Sequence, residues 1–472
     1  SIFYPTGVKF SGILCKFAAN KASYILYKVM VMDIKELYKI YKQHPYLTTD
    51  SRDCPAGSIF LALKGASFNG NKFAESALEK GCAYAIIDEV EYKKDDRYIL
   101  VDNCLDTYQA LAREHRRHFC IPVIGITGTN GKTTTKELVA AVLSEKYNVL
   151  FTEANYNNDV GVPKTLFRLN DSHEIAIVEM GASHPGDIKK LVETAEPTFG
   201  IITNVGMAHL QGFGSFEGVK RTKGELYDFL KANVENYTLF INADNKHLMQ
   251  MAGERGMTGL IKYGQNETEG LSVRGEIISC APFLKFRWRT EGASLQGVSV
   301  WHEVQTHIIG TYNIDNMLAA ITIGERFGVS DAQICHALES YIPNNNRSQM
   351  TVTERNKLVV DAYNANPTSM NAAVENFKRM EVSPKMVILG EMGELGTSSH
   401  EEHLKLVAQL REASFDVVWL VGGEFIKANS GFRTFADVEE VKAAIAAENI
   451  RDRYILIKGS HSTKLYELPE LL

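Results

Sequence analysis

Cysteine is scarce and never paired in a recognisable motif. The seven cysteines, at 15, 54, 82, 104, 120, 280 and 335, include no C-x-x-C spacing, so neither a thiolate zinc site nor a disulfide framework is indicated. An odd number scattered over a long chain fits a reducing compartment, and a cytoplasmic protein is expected. Uncharged apolar stretches of about 18 residues are missing, so no membrane-spanning helix and no membrane partner are expected. A basic excess is missing too: 51 Lys and Arg stand against 57 Asp and Glu, a net charge of −6, which argues against nucleic acid as a partner. The densest basic run, REHRRH at 113–118, reads as the cationic end of a helix, where the helix dipole favours it. Low-complexity tracts and short-period repeats are absent.

What is present is ordinary for a globular protein. Hydrophobic residues make up 45% and charged residues 23% of 472, enough for two to four domains at roughly 100–200 residues each. The stretch ILCKFAANKASYILYKVMVM is interrupted by Lys16, Lys21 and Lys28 and lacks the compact apolar region of a signal peptide. Residues 1–31 are therefore expected to be an N-terminal extension, with the fold starting near Met32. Residues 32–118 mix short strands, turns and helices. FAESALEKGCAYAIIDE reads as a helix stopped at Gly81, then a buried strand. From 119 to 343, buried strands (PVIGITG, EIAIVEMGA, FGIITNVG, YTLFINAD) alternate with helices such as EGVKRTKGELYDFLKA at 217–232. That alternation implies a mostly parallel sheet covered on both faces. The stretch 270–309 reads as a small extra sheet, and 313–328 as an amphipathic helix ending at a glycine. From 344 to 472, four buried strands (KLVVDAY, PKMVILG, FDVVWLVGG, YILIKGS) alternate with helical segments. The fold expected is α/β in three domains: a small mixed α/β N-terminal domain, a central parallel-sheet P-loop ATPase domain and a C-terminal Rossmann-like α/β domain.

The chemistry starts at GITGTNGKTTTKE, 125–137. It follows a buried strand and opens a helix, the context of a phosphate-binding loop. The usual G-x-x-x-x-G-K-[ST] pattern needs a first glycine at 126, where Ile126 stands; Gly128 lies two residues too close to Gly131. Gly128 and Gly131 let the backbone turn its N–H groups inward around Thr129 and Asn130. The helix N-terminus at Lys132, Thr133 and Thr134 favours an anion. Lys132 can reach terminal phosphates, and Thr133 can ligate Mg²⁺.

GTNGKTT resembles the nucleotide loop of the Mur ligase family, ATP-dependent enzymes that join an amine to a carboxylate. Later blocks match the same family in order: TEANYNNDVGVPKTLFRL, IVEMGASHPGDI, ITNVGMAHLQGFGSFEGVKRTKGEL, GTYNIDNMLAA, DAYNANPTSM, LGEMGELG and IKGSHS, with TTDSRDCPAGSIFLALKG near the N-terminus. The resemblance spans residue 32 to the end. It implies ligation of D-alanyl-D-alanine to UDP-N-acetylmuramoyl-tripeptide through an acyl phosphate, by a monomer. It leaves open whether the third residue is lysine or diaminopimelate. Other ligases of the family, one adding the third peptide residue or a folylpolyglutamate synthase, fit NYNNDVGVP and DAYNANP less well. A non-catalytic ATP-binding regulator is countered by the retained Glu179, His209 and Lys223.

The site residues it implies are as follows. Glu179, at a strand end, and Thr133 hold a Mg²⁺ ion beside ATP. His209 helps to hold a second, and Lys223 captures CO₂ as a carbamate that ligates or orients it; Lys220 and Arg221 align less well. Asn313 and Asn316, at i and i+3, share one helix face toward adenine, although Asn313 equally fits an N-cap. Arg347 and Asp361 reach ATP phosphates and metal, with a surface salt bridge as the plainer alternative for each. Asn157, Asn158, Asn364 and Asn366 face substrate, Asn364 and Asn366 toward the incoming amine. Ser51 and Arg52 are the UDP-sugar candidates, equally readable as turn formers. Where related enzymes often carry Arg, this chain has His461, and that position is assigned no role.

Overall fold

Parallel strands need long crossovers and bury both faces, so their sequences are nearly continuous apolar runs. Three such sheets form in the computed structural model, which describes residues 32–291, 300–343 and 349–472. The proposed extension 1–31 and Arg347 lie outside the described residues. The chain divides into two compact units between Phe119 and Cys120.

The first unit is a four-stranded, wholly parallel sheet in the order Leu47–Thr48, Ile59–Leu61, Tyr84–Ile87, Tyr98–Leu100. The helix expected before Gly81 is Ala74–Glu79, and Gly81 follows with φ +122°. The basic run ends the helix Cys104–Arg117, which packs on Ile34–Gln43. There the Tyr38 hydroxyl lies 3.1 Å from His115 Nδ1.

The second unit holds a nine-stranded and a six-stranded sheet. Seven parallel strands run across the nine-stranded sheet in the order Leu271–Cys280, Leu260–Gly264, Thr238–Asn242, Phe199–Ile202, Val123–Thr127, Ile175–Glu179, Val149–Phe151. Three of them, Val123–Thr127, Ile175–Glu179 and Thr238–Asn242, are buried at every position. Val149–Phe151, a short edge strand, carries too little pattern to stand out in the sequence. One face is covered by the helices Lys132–Ser144, Ile314–Arg326 and Asp331–Ser340. Gly200 points the other way, toward Leu226 and Leu230 of the helix Phe216–Asn233.

Two expectations need correction. Residues 270–309 do not make a separate sheet. Leu271–Cys280 pairs in parallel with Leu260–Gly264, and Phe283–Thr290 and His302–Ile309 extend the central sheet in antiparallel fashion. The helix expected over 313–328 is Ile314–Arg326, but its polar face is confined to its ends, because every residue from Met317 to Gly324 is buried. It lies between the helix Lys132–Ser144 and the extended sheet, where Leu318 packs against Gly275.

In the six-stranded sheet, Gln349–Val352 pairs antiparallel at one edge. The rest is parallel: Lys357–Asp361, Tyr454–Lys458, Lys385–Gly390, Val417–Val421, Arg433–Phe435. Alternate residues feed two cores: Val387 and Leu389 face the helices Pro367–Arg379 and Ser399–Ala413, while Met386 and Ile388 face Val438–Ala447 and the C-terminal turns. Pro367 takes the first helical position, where its missing N–H does no harm.

Leu318 is fully buried in the central core. Leu318→Ala is expected to destabilise the second unit by about 2–5 kcal/mol in denaturant unfolding. Ile342→Ala, at a residue 66% exposed, should stay within about 0.5 kcal/mol of the parent.

Candidate active site

From Val123–Thr127 the chain runs out to the edge strand Val149–Phe151, returns to Ile175–Glu179, and then crosses to Phe199–Ile202 on the other side. Val123–Thr127 is therefore the point at which the strand order reverses, and the crevice beyond its carboxyl end is where open α/β sheets bind ligands. The short loop sits there. Ile126 cannot belong to it, because Ile126 is still within the strand, paired with Glu179 and Ile201. The loop is closed by the next strand end. Thr129 N donates to the Asn204 carbonyl (2.9 Å), Asn130 N donates to Asn204 Oδ1 (2.9 Å), and Thr203 Oγ1 donates to the Asn130 carbonyl (2.6 Å). Gly128 has φ +147° and a Cβ there would lie 2.0 Å from Thr203 Oγ1; at Gly131, φ +77°, it would lie 2.6 Å from Asn316 Oδ1. Both glycines are required by close approach as well as by backbone angle. Lys132 Nζ folds back to the carbonyls of Gly128 (2.9 Å) and Thr129 (3.1 Å), and Thr133 and Thr134 lie in the first helical turn.

Glu179 ends its strand 1% exposed. Its Oε1 accepts from Asn157 Nδ2 (2.8 Å) and Thr133 Oγ1 (3.2 Å), whereas Oε2 is buried with no partner among the described residues. A buried carboxylate oxygen left open next to a threonine hydroxyl is a donor set that suits a hard divalent cation. No cluster of three or more His, Cys, Asp or Glu is present among the described residues.

Lys223 lies within the helix Phe216–Asn233, 3% exposed. Burial, reinforced by the charge of Lys132, pulls its amine well below the ordinary lysine range, against the opposing influence of Asp187, Glu225 and Glu179. A neutral amine is nucleophilic, as CO₂ capture requires. His209 follows the strand Phe199–Ile202 in a left-handed conformation, φ +50°. Burial lowers its pKa, with Lys132 and Lys223 adding to the effect and Glu394 opposing it. Its Nδ1 is in ion-pair contact with Glu394 Oε2 but makes no hydrogen bond of good geometry among the described residues.

A cavity of about 860 Å³ runs from the loop to the six-stranded sheet, bounded by Lys132, Glu179 and His209 on one side and by Asp361, Asn364 and Lys458 on the other. Asp361 Oδ2 accepts from Lys458 Nζ at 2.6 Å, and the same ammonium donates to the Asn364 carbonyl at 3.2 Å. Lys458 is 1% exposed, so this pair is buried, not superficial. A lysine inside the apolar run YILIK was the readable signal for it, because buried lysines are almost always paired. Asn366 is committed elsewhere. Its Oδ1 caps the helix at Ser369 N (2.9 Å), and its Nδ2 donates to Asn130 Oδ1 (2.7 Å), joining the six-stranded sheet to the loop. Asn158 Oδ1 accepts from Gly161 N (2.8 Å) and shapes the turn there.

Asn313 stands at the N-cap position of Ile314–Arg326 but makes no capping bond; its Nδ2 donates to the Ile309 carbonyl (2.8 Å). Asn316 donates to Asn313 Oδ1 (2.8 Å) and accepts from Thr135 Oγ1 (3.0 Å). Both line the cavity from beneath the loop. In the first unit Arg52 forks onto Asp50 (2.7 Å) with its side chain 87% exposed, and the Ser51 carbonyl accepts from Lys80 (2.7 Å). His461 is exposed and stacks on Tyr466.

Family models match most of the chain: "Mur ligase family, catalytic domain" at 46–119, "Mur ligase middle domain" at 126–324 and "Mur ligase, glutamate ligase domain" at 346–461. The UDP-N-acetylmuramoyl-tripeptide–D-alanyl-D-alanine ligase of Synechocystis is 34% identical over 428 residues, covering 89% of this chain and 90% of the relative. A crystal structure of MurF from Acinetobacter baumannii superposes with a TM-score of 0.80 at 29% identity, covering 90% of this chain and 92% of that one. MurF from Thermotoga maritima in complex with ADP gives 0.78 at 26% identity, covering 90% and 96%. The chain belongs to the Mur ligase family.

Proposed function

We propose that this protein joins D-alanyl-D-alanine to UDP-N-acetylmuramoyl-tripeptide at the expense of ATP, giving the UDP-muramyl-pentapeptide. The observation that carries this reading is one cavity with the short glycine loop and the half-satisfied carboxylate of Glu179 on one side and the DAYNANPTS segment on the other, with Lys223 buried within electrostatic reach of Lys132 and Glu179. The curated relatives of that name, similar along nine-tenths of the chain, support the substrate assignment.

A carboxylate is a poor electrophile, and it repels an anionic phosphoryl group. The tripeptide carboxylate attacks the γ-phosphorus of ATP, and ADP leaves. The amine of the dipeptide then attacks the acyl carbon, the C–O bond to phosphate breaks, and the nitrogen loses a proton as the amide forms. Lys132, at the head of the helix, offsets charge on the transferred group. Gly128, Thr129, Asn130, Gly131, Thr133 and Thr134 cradle the phosphates, and Asn313 and Asn316 shape the floor toward the base. Mg²⁺, when bound, would neutralise phosphoryl charge; Thr133 and Glu179 would hold one ion, and His209 with a carbamate on Lys223 a second. Asp361, oriented by Lys458, faces the nucleotide; Arg347, outside the described residues, is assigned to the nucleotide by the family resemblance alone. Asn364 presents the incoming amine, with Asn366 bracing the loop; Asn157 and Asn158 order the tripeptide side, and Ser51 and Arg52 serve the UDP-sugar. Closure of the walls over bound substrates would exclude water, which would hydrolyse an acyl phosphate.

Phosphate release from ATP and Mg²⁺ is expected only when both substrates are present, with the pentapeptide appearing by mass spectrometry. Release without both, or no product with any muramyl acceptor, would overturn the assignment. Lys223→Ala should lower kcat by about a hundredfold or more. In ¹³C-bicarbonate the parent protein should show a carbamate carbon by NMR that Lys223→Ala lacks; an identical spectrum for the two would remove the carbamate from the reading.

A further inference from the structure

The segment LGEMGELG, 389–396, is given no part in the chemistry above, yet it enters the cavity. It follows the strand Lys385–Gly390, and Glu394 at its tip lines the cavity wall. Three contacts tie this tip to the loop after Phe199–Ile202. Glu394 Oε2 is in ion-pair contact with His209 Nδ1, a buried nitrogen that has no other hydrogen-bond partner among the described residues and whose contact with Oε2 is not yet hydrogen-bond aligned; the Gln211 N–H points at the Glu394 carbonyl (3.4 Å), and Gly396 packs on Gln211. His209 and Glu394 are both non-glycine residues in the left-handed region, φ +50° and +60°. Such conformations are unfavourable for ordinary side chains and persist where the surroundings hold them, often at functional sites. Here the two strained residues are the two that touch.

An imidazole has one proton to place when neutral, and the group at one nitrogen decides what the other can do. A carboxylate at Nδ1 fixes the proton there and leaves the Nε2 lone pair to act as a ligand, an arrangement common around metal-binding histidines. We propose that Glu394 is a positioning residue for His209: it holds the imidazole by Nδ1, so that the Nε2 ligand is presented only while the 391–396 segment is docked against the 207–212 loop. The amine-side sheet thereby completes the ATP-side site. This rests on the role given to His209 above.

Three substitutions test it in the full-length protein. Glu394→Ala is expected to weaken Mg²⁺ activation and kcat by about 10–100-fold, leaving the KM for ATP and for both other substrates within about threefold. Glu394→Gln keeps a carbonyl acceptor for Nδ1–H and should recover most of the loss. The double variant H209A/E394A should be no worse than His209→Ala alone. Mn²⁺ titration by electron paramagnetic resonance, with a non-hydrolysable ATP analogue, supplies a readout apart from turnover and should weaken in Glu394→Ala, with an unchanged melting temperature because Glu394 is exposed. If His209→Ala is fully active, the role of His209 itself falls. If His209→Ala is impaired while Glu394→Ala binds Mn²⁺ normally, or the two losses simply add, His209 stands and the positioning role of Glu394 is overturned.

Discussion

A carboxylate at the end of a buried strand is the fixed point around which the rest of this site is arranged. Glu179 is placed by the sheet, whose register with Val123–Thr127 leaves no freedom at that strand end. One of its oxygens is used to gather two separate pieces of chain, the first turn after the glycine loop through Thr133 and the 152–158 segment through Asn157. The other oxygen is left open among the described residues, in a place where an unpartnered acceptor is costly. A fold tolerates that cost most readily where a ligand removes it. The side chains that face this point, Lys132, His209 and Lys223, are ordered by the same parallel strands, each lying on or just after the segment that follows a strand.

The second constraint is that the two sheets of the larger unit must meet at the loop, and they do so through short polar contacts. Asn130 is pinned from the central sheet by Thr203 and Asn204 and from the six-stranded sheet by Asn366. His209 is met from the same side by Glu394. Amide–amide and carboxylate–imidazole contacts of this kind are weak individually, with net worth of about 1 kcal/mol for a neutral hydrogen bond. They hold the geometry at the loop beside an apolar contact in which Ile309 of the nine-stranded sheet is buried in the core of the six-stranded sheet. A ligase that must admit an amine after activating an acid needs such a joint, and the residues at it are the ones that also line the cavity.

Much of this was legible in the sequence because parallel sheets write plainly. The runs VIGIT, IAIVE and TLFIN are buried at every position, and the loop's context followed from them. The extension of the central sheet by 271–309 was not legible. Alternation in antiparallel strands shows that a face is buried but not which sheet supplies the neighbour. The helix 314–326 misled for a related reason: Ala319, Ala320 and Thr322 look neutral in a pattern, yet strand and helix approach so closely there that all are buried. At the site, residue types announced candidates but not their partners. Asn366 reads as a ligand group and also as a helix cap; the bonds to Ser369 and Asn130 show what its amide is already holding. Lys458, by contrast, declared itself as a charge inside an apolar run, and Asp361 opposite it in register supplies the counter-charge.

The signs of the charges bear on the lysine on the long helix. Lys132 and Lys223 oppose each other's protonation, and burial opposes that of Lys223 further. The phosphate chain of a nucleotide would welcome a second cation, so a lysine whose basicity is lowered by burial is a wasteful choice if charge were its purpose. It is a sound choice if the amine is to react. Capturing CO₂ would turn a would-be cation into an anion in a region where Glu179 is the only carboxylate with a buried open oxygen among the described residues. Two divalent ions need more oxygen donors than one such carboxylate provides. On the proposed reading, the single open carboxylate oxygen at Glu179 and the lowered basicity of Lys223 are therefore a single feature: a further ligand is made from a lysine after folding, at a depth where a genetically encoded carboxylate would have to be buried from the start.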